Sequence, residues 1–339
     1  MSGILLVGEA WGKEEADVGL PFVGPSGKLL NGLLSQVGIA RDECYVTNVF
    51  NFQPERNQLK TICGKKVEGI PGFPALNKGG YVLAQYASEL DRLFTEIDRE
   101  QPTLIIALGA TAAWALLKHS SIKSLRGAAV MATIAGKRYK VFPTYHPAAV
   151  LREWKLRPIL LADLTKARRE AEYPEVRRPR REVWIEPTYD DLLRFEQEHI
   201  LPSPDLAIDI ETRGREITCI GFAPRVDLTL VVPFFSASSP GQSYWPTVEL
   251  ETKVWNWVLR ICRLRKRIVG QNFLYDTNFL WTEYGIIIPH AAEDTMLLHH
   301  ALQPEMEKGL GFLGSIYTDE PAWKGMKRKK HNETVKRED

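Results

Sequence analysis

Four short apolar runs punctuate the first half of this chain, each separated from the next by enough sequence for a helix. They are Ile4 to Val7, CYVTNVFNF from Cys44, PTLIIALG from Pro102 and YKVFPTYHP from Tyr139. A strand with one wet face alternates apolar and polar residues, whereas an uninterrupted apolar run belongs to a strand covered on both faces, as in a parallel sheet. Helical patterns fall between and after them, from about Ser26 to Val37, from Tyr81 to Glu100, over ATAAWALLK from Ala110 and over LRPILLADLTKARREAE from Leu156. Strands alternating with helices imply a parallel sheet under two helical layers, with ligands at the strands' C-terminal ends.

The loop after the first strand, GEAWGKEEADVGLPFVGP from Gly8, is longer than a strand-to-helix connection requires and is rich in glycine and acid. It is expected to bind something. Polar strand ends elsewhere converge on the same crevice: Gly8-Glu9-Ala10-Trp11-Gly12, Thr47-Asn48 and Tyr145-His146-Pro147. An asparagine, a histidine and a carboxylate in one crevice suit a polar planar ligand.

At 339 residues the chain suits two domains. A stretch broken by Pro174, Pro179 and Pro187 and crowded with Arg168, Arg169, Arg177, Arg178, Arg180 and Arg181 marks the boundary. Residues 1–172 form the first domain, 173–187 an Arg/Pro-rich linker and 188–339 the second domain. There, DLAIDIETRGREITCIGFAPRVDLTLVVPF reads as a three-strand meander followed by helices, an α/β unit with a mixed sheet. Net charge is only +2, so any nucleic-acid partner must be met by local clusters: the linker arginines, or Lys324, Lys327, Arg328, Lys329 and Lys330. Either run also reads as a solvated linker or tail. The four cysteines, Cys44, Cys63, Cys219 and Cys262, form no Cys-x-x-Cys pair, which speaks against a zinc ribbon or a disulfide framework. No apolar run approaches the ~20 residues of a membrane span and the chain opens directly on a strand, so the expected setting is the cytoplasm, with no membrane partner.

Taken in order, the motifs of the first domain resemble a uracil-DNA glycosylase of the iron-sulfur class, family 4. The matching positions are Gly8-Glu9-Ala10-Trp11-Gly12, Glu14-Glu15, Pro21-Phe22-Val23-Gly24-Pro25, Thr47-Asn48 and His146-Pro147-Ala148-Ala149-Val150-Leu151-Arg152. The resemblance implies a three-layer α/β/α fold around a central parallel sheet and a monofunctional DNA-repair enzyme. His146 would donate to the departing base, Phe22 would stack on it, and Asn48, with Ala10 beside it, would read its edge. Glu9 would crowd out the thymine methyl, and Glu15 would position water or stabilise the sugar cation. Gly8, Gly12 and Gly24 would let backbone amides approach base and phosphate, and Leu151 or Arg152 would fill the hole in the duplex. Trp11 stands where the family has proline. The family's cluster takes four cysteines, two of them ahead of the first motif. Cys44 and Cys63 cannot supply four thiolates, so no iron-sulfur cluster is expected, with packing of the segment from Asn57 to Tyr81 in its place.

In the second domain, Asp209-x-Glu211 ends a strand with both carboxylates on one face, and Asn272-x-x-x-Asp276 follows at helical spacing. This resembles the ribonuclease H-like 3′–5′ exonuclease domain of family A DNA polymerases, which holds two metals with four carboxylates. Asp209, Glu211 and Asp276 match three of them. The fourth comes from a Tyr-x-x-x-Asp motif, and Val335 stands where Asp339 would need the tyrosine. An incomplete domain is expected, with weak Mg or Mn binding and little or no nuclease activity, from a split polymerase gene of a bacterium or phage. The partners implied are DNA and a DNA polymerase or its complementary fragment. Two other readings stay open: a non-catalytic DNA-binding module that positions a polymerase, and an active exonuclease in which Asp294 or Asp339 replaces the lost ligand.

Overall fold

The computed structural model describes residues 3–320 apart from 78, 179 and 240. The basic run from Lys324 to Lys330, with Val335 and Asp339, lies outside the described residues. The chain divides into two compact units, one running to Arg178 and resuming at Gly311, the other Pro179–Leu310.

The first unit is built from β1 (Ile4–Ala10), α1 (Lys13–Val18), α2 (Pro25–Gln36), β2 (Tyr45–Phe50), β3 (Cys63–Gly64), β4 (Tyr81–Val82) and α3 (Ala87–Glu100). There follow β5 (Leu104–Leu108), α4 (Ala110–Leu117), α5 (Ile122–Leu125), β6 (Val130–Ile134), β7 (Lys137–Thr144), α6 (Pro147–Arg152) and α7 (Arg157–Glu170). The sheet order is β2-β1-β5-β7-β6. All pairs are parallel except the β6–β7 hairpin. Side chains leave successive strand residues on opposite faces. Leu5, Val7, Ile105 and Ala107 therefore meet Leu90, Leu93 and Ile97 of α3 and Trp114 of α4. Ile4, Leu6, Leu104 and Ile106 meet Leu30, Leu33 and Leu34 of α2 and Leu160 and Leu164 of α7. Each such side chain contributes about 1.5–3 kcal/mol on burial, which explains the uninterrupted apolar runs of β1 and β5. The result is the three-layer α/β/α arrangement expected of the sequence.

Two local expectations need correction. The helix expected from Tyr81 begins at Ala87, because Tyr81 and Val82 pair with Gly64 and Cys63. The edge strand β6 was not anticipated; Ala135 and Gly136, with φ of 48° and 82°, supply the left-handed turn that folds it back on β7.

The second unit comprises β8 (Glu182–Trp184), α8 (Tyr189–Phe195), β9 (Asp205–Arg213), β10 (Glu216–Arg225), β11 (Leu228–Pro233), α9 (Val248–Cys262), β12 (Arg267–Gly270), α10 (Phe273–Tyr284), β13 (Ala291–Asp294) and α11 (Thr295–Leu302). Its mixed sheet has the order β13-β12-β9-β10-β11-β8, with the β9–β10–β11 meander at its centre. Leu206, Ile208 and Ile210 of β9 face a core shared with Phe195, Val254, Trp257 and Leu280.

The last described helix, α12 (Leu310–Tyr317), packs on the first unit, although sequence grouped it with the second. Buried Arg126 donates to Asp163 and, at 2.7 Å, to the Ser315 hydroxyl. Lys166 donates to the carbonyls of Ser315 and Thr318 at 2.7 and 2.6 Å. A chain ending at Gly309 would leave Arg126 with Asp163 and Lys166 with the Gly127 carbonyl but remove these three acceptors. Relative to a chain ending at Glu320, it is expected to lose on the order of 3 kcal/mol of first-unit stability, read by urea denaturation.

Candidate active site

The loop after β1 is held closed by one carboxylate. Glu15, on α1 and only 8% exposed, accepts the Gly12 N–H at 3.1 Å through one oxygen and the Gly24 N–H at 2.9 Å through the other. It thereby ties the start of α1 to the start of α2. This corrects one expectation. The Gly12 and Gly24 amides are already taken by Glu15, so they are not free donors for a base or phosphate, and both Glu15 oxygens are engaged by backbone.

Inside this closure lies a cavity of about 210 Å³. Its lining includes Glu9, Ala10, Gly12, Glu15, Phe22, Asn48, His146 and Arg152, eight residues expected from sequence. Gly8 stands behind them in contact with two: a Cβ there would lie 2.1 Å from Asn48 Oδ1 and 2.5 Å from the Phe22 ring, so only glycine lets the three pack together. Leu151 does not line the cavity and is 49% exposed on α6. Phe22 adopts the left-handed conformation at φ 57°, which costs a non-glycine residue roughly 1–2 kcal/mol. Its carbonyl can sit there because Gly27, in the first turn of α2, has no Cβ to collide with it. The conformation turns the ring inward, where it stacks on His146 with centroids 5.6 Å apart.

His146 caps α6, its Nδ1 accepting the Ala148 N–H at 3.1 Å. That bond leaves the ring proton on Nε2, which is buried and has no hydrogen-bond partner. Burial, aided by the nearby Arg152 guanidinium, lowers the imidazole pKa to about 4. The cavity thus presents a neutral ring with one unpaired donor.

Sequence alone did not point to the groups that aim these side chains. Thr111, on α4, donates to Glu9 at 2.6 Å. Arg92, on α3, bonds the Asn48 and Val49 carbonyls at 2.8 and 3.1 Å and so fixes β2. A further wall comes from Pro54, Asn57 and Leu59. The only local signal was the proline and asparagine after β2.

The cysteines do not fit an iron-sulfur cluster. Cys44 packs in the core on one face of the sheet, its thiol donating to the Ala40 carbonyl, whereas Cys63 packs against the core on the opposite face and donates to Leu59. One cluster cannot draw on both. Ile62, Ile70 and Leu76 fill the second core, and the Trp114 indole donates to the Pro74 carbonyl.

In the second unit, Asp209 and Glu211 project from the outer face of β9 into an open cavity of about 470 Å³, and Asp276 does not line it. Asp276 is buried under β9, where it accepts the Ile210 N–H at 2.9 Å. Burial is the main cause that raises its pKa to about 6. Asp294 is likewise committed, capping the starts of α10 and α11 through the amides of Asn272, Phe273 and Met296. Among the described residues, no group of three or more histidines, cysteines or carboxylates is arranged to hold a metal ion. Asp209, Glu211 and Asp276 therefore do not form such a group, although the Asp209 charge lies near enough to Asp276 to add to the rise in its pKa, and one Asp276 oxygen is engaged by the Ile210 amide.

The parallel-sheet fold thus gathers a neutral histidine, an asparagine, an aromatic ring and a carboxylate in one cavity, the arrangement of an enzyme's active site. Residues 1–171 match the model of the uracil DNA glycosylase superfamily, and the chain belongs to that superfamily, whose members hydrolyse N-glycosyl bonds. It is 37% identical over 169 residues to the type-4 uracil-DNA glycosylase of Thermotoga maritima, a match covering 49% of this chain and 76% of that protein. It is also 28% identical over 144 residues to the DNA polymerase of Bacillus phage SP01, covering 42% of this chain and 13% of the polymerase. A solved structure of the EXD2 exonuclease domain aligns at a TM-score of 0.26 and 17% identity, covering 36% of this chain and 58% of that one.

If Glu15 holds the loop as described, Glu15→Gln, which can accept only through one oxygen, should cost about 1–3 kcal/mol. Amide hydrogen exchange at Gly12 and Gly24 should accelerate, whereas unchanged exchange would contradict this account of the loop.

Proposed function

We propose that the first unit is a monofunctional uracil-DNA glycosylase that takes an extruded uracil into its cavity and hydrolyses the N-glycosidic bond. The carrying observation is the unpaired Nε2–H of a neutral His146 in the cavity wall. As the bond breaks, negative charge gathers on the base and positive charge on the sugar, and a fixed donor near a base oxygen stabilises that separation. His146 is that donor, and as a neutral ring it need not give up its proton to serve. The Asn48 amide can donate and accept together, as a uracil edge requires, and Phe22 supplies the stacking surface. Glu9, fixed by Thr111, stands against the position of a thymine methyl. The Glu15 carboxylate, although bonded to backbone, lines the cavity where the sugar cation would develop. No lysine is among the cavity-lining residues described, so water, not an amine, is the nucleophile. Leu151 and Arg152 enter the vacated stack, and the linker arginines contact phosphates in the cytoplasm of a bacterial or phage-infected cell.

The second unit is proposed to be a DNA-handling remnant of a polymerase exonuclease domain without nuclease activity. The likeness to the phage polymerase and the inward commitment of Asp276 support this reading. A polymerase or its complementary fragment is the proposed partner.

An abasic-site assay with EDTA present tests the first reading. Uracil-containing duplex should break after alkali with the wild type, and His146→Ala should lower the rate on the order of 10²–10³-fold. No breakage by the wild type would reduce the cavity to a recognition module. The histidine also predicts a pH signature. Its folded pKa, about 4, lies below the ordinary 6.5, so the unfolded chain takes up the proton first as pH falls. Stability should decline between about pH 6.5 and 4 for the wild type, and less so for His146→Gln, while activity keeps no ionisation limb near 6.5.

For the second unit the sign is opposite. The raised pKa of Asp276 means that its ionised form is disfavoured in the fold, so its contribution is lost as pH rises through about 6. Asp276→Asn should therefore raise Tm at pH 7.5 and not at pH 4, and Mg²⁺ or Mn²⁺ should leave the wild-type Tm unchanged. Metal-dependent shortening of a 3′-labelled strand that disappears in Asp209→Ala would establish a working exonuclease instead.

A further inference from the structure

Buried donors without partners are rare, and each calls for an explanation. Among the described residues, the unpaired buried side-chain atoms that belong to cavity-lining residues are His146 Nε2 and Trp11 Nε1. The proposed chemistry uses the first and leaves the second idle. Trp11 does not sit there by default: its backbone N–H donates to the Phe52 carbonyl at 3.2 Å, pinning the loop to the chain that leaves β2. Its neighbours Ala10 and Gly12 line the same cavity, as does the wall of Pro54, Asn57 and Leu59. A purely hydrocarbon aromatic ring such as phenylalanine, though smaller, would pack here without burying an unsatisfied N–H, so packing does not account for the indole's donor.

We propose that Trp11 is a substrate-binding residue whose indole N–H donates to an oxygen of the bound nucleotide, either a base carbonyl or a backbone phosphate. The proposal rests on the reading of the cavity as a nucleotide site. The donor stays unpaired until the ligand arrives, so the cost of burying it alone is relieved on binding.

Trp11→Phe in the full chain tests this, because it keeps an aromatic ring and removes the donor. The expected result is about a tenfold fall in kcat/KM for uracil release, one hydrogen bond's worth, with Tm unchanged or raised. Two binding probes that need no turnover locate the acceptor: free uracil, and a duplex carrying a tetrahydrofuran abasic site. Weaker binding of free uracil assigns the acceptor to the base, and weaker binding of the abasic duplex assigns it to the phosphate. Equal binding of both probes by wild type and Trp11→Phe overturns the proposal, as does a wild type that binds neither. If the wild type releases no uracil, the glycosylase reading fails, yet a loss of probe affinity in Trp11→Phe still upholds the donor. Trp11→His, which retains a ring N–H, should recover part of the affinity. If Trp11→Phe does not fold, Trp11→His binding no better than Trp11→Ala decides against the donor.

Discussion

The cavity depends on the carboxylate of Glu15. A loop that leaves β1, turns through α1 and enters α2 would otherwise be an open strap over the end of the sheet. By accepting the Gly12 and Gly24 amides together, Glu15 fixes the two ends of that strap relative to each other. Everything the strap carries inherits the constraint: Glu9 and Trp11 lie just before its first anchor, and Phe22 just before its second. A carboxylate offers two oxygens to two backbone donors at once, where a side-chain amide offers one. Its burial is tolerated because both oxygens are satisfied.

The sheet supplies the opposite half of the site by register. Gly8 of β1 lies beside Asn48 of β2, and the missing Cβ at Gly8 is filled by the asparagine amide and the Phe22 ring. β7 ends at Thr144, two residues before His146 caps α6. The histidine's position is thus set by a strand end and a helix start, both rigid, while its ring is oriented by the Ala148 amide. Residues far apart in sequence meet because parallel strands deliver their C-terminal ends to one edge.

That logic also explains what was legible beforehand. Apolar runs and helical patterns announced the layers, and the polar residues at or near the ends of those runs, with Asn48 inside the second, named Glu9, Asn48 and His146, because strand ends are where a parallel sheet exposes chemistry. Thr111 and Arg92 were not legible, since each acts from a different element whose proximity depends on strand order. Nor was α12, which sequence placed with its neighbours in the second unit and which packs against Arg126 and Lys166 of the first. In the second unit the spacing of Asp209, Glu211 and Asp276 was read correctly as residues on a strand and a helix. Spacing could not show that Asp276 spends its carboxylate on the Ile210 amide, which is a matter of how α10 is seated beneath β9.

Several features of the first unit run against stability. Phe22 holds a left-handed backbone, His146 is kept neutral by burial, and His146 and Trp11 bury donors that nothing in the free protein accepts. Each would be improved for folding by a simple replacement, and all converge on one cavity. A cavity preorganised to meet oxygen acceptors must hold its donors unpaired beforehand, because donors already bonded within the protein would have to be released before they could serve a ligand. On the proposed reading the strain in this wall serves recognition, and the apolar sheet beneath it supplies the stability that lets it persist.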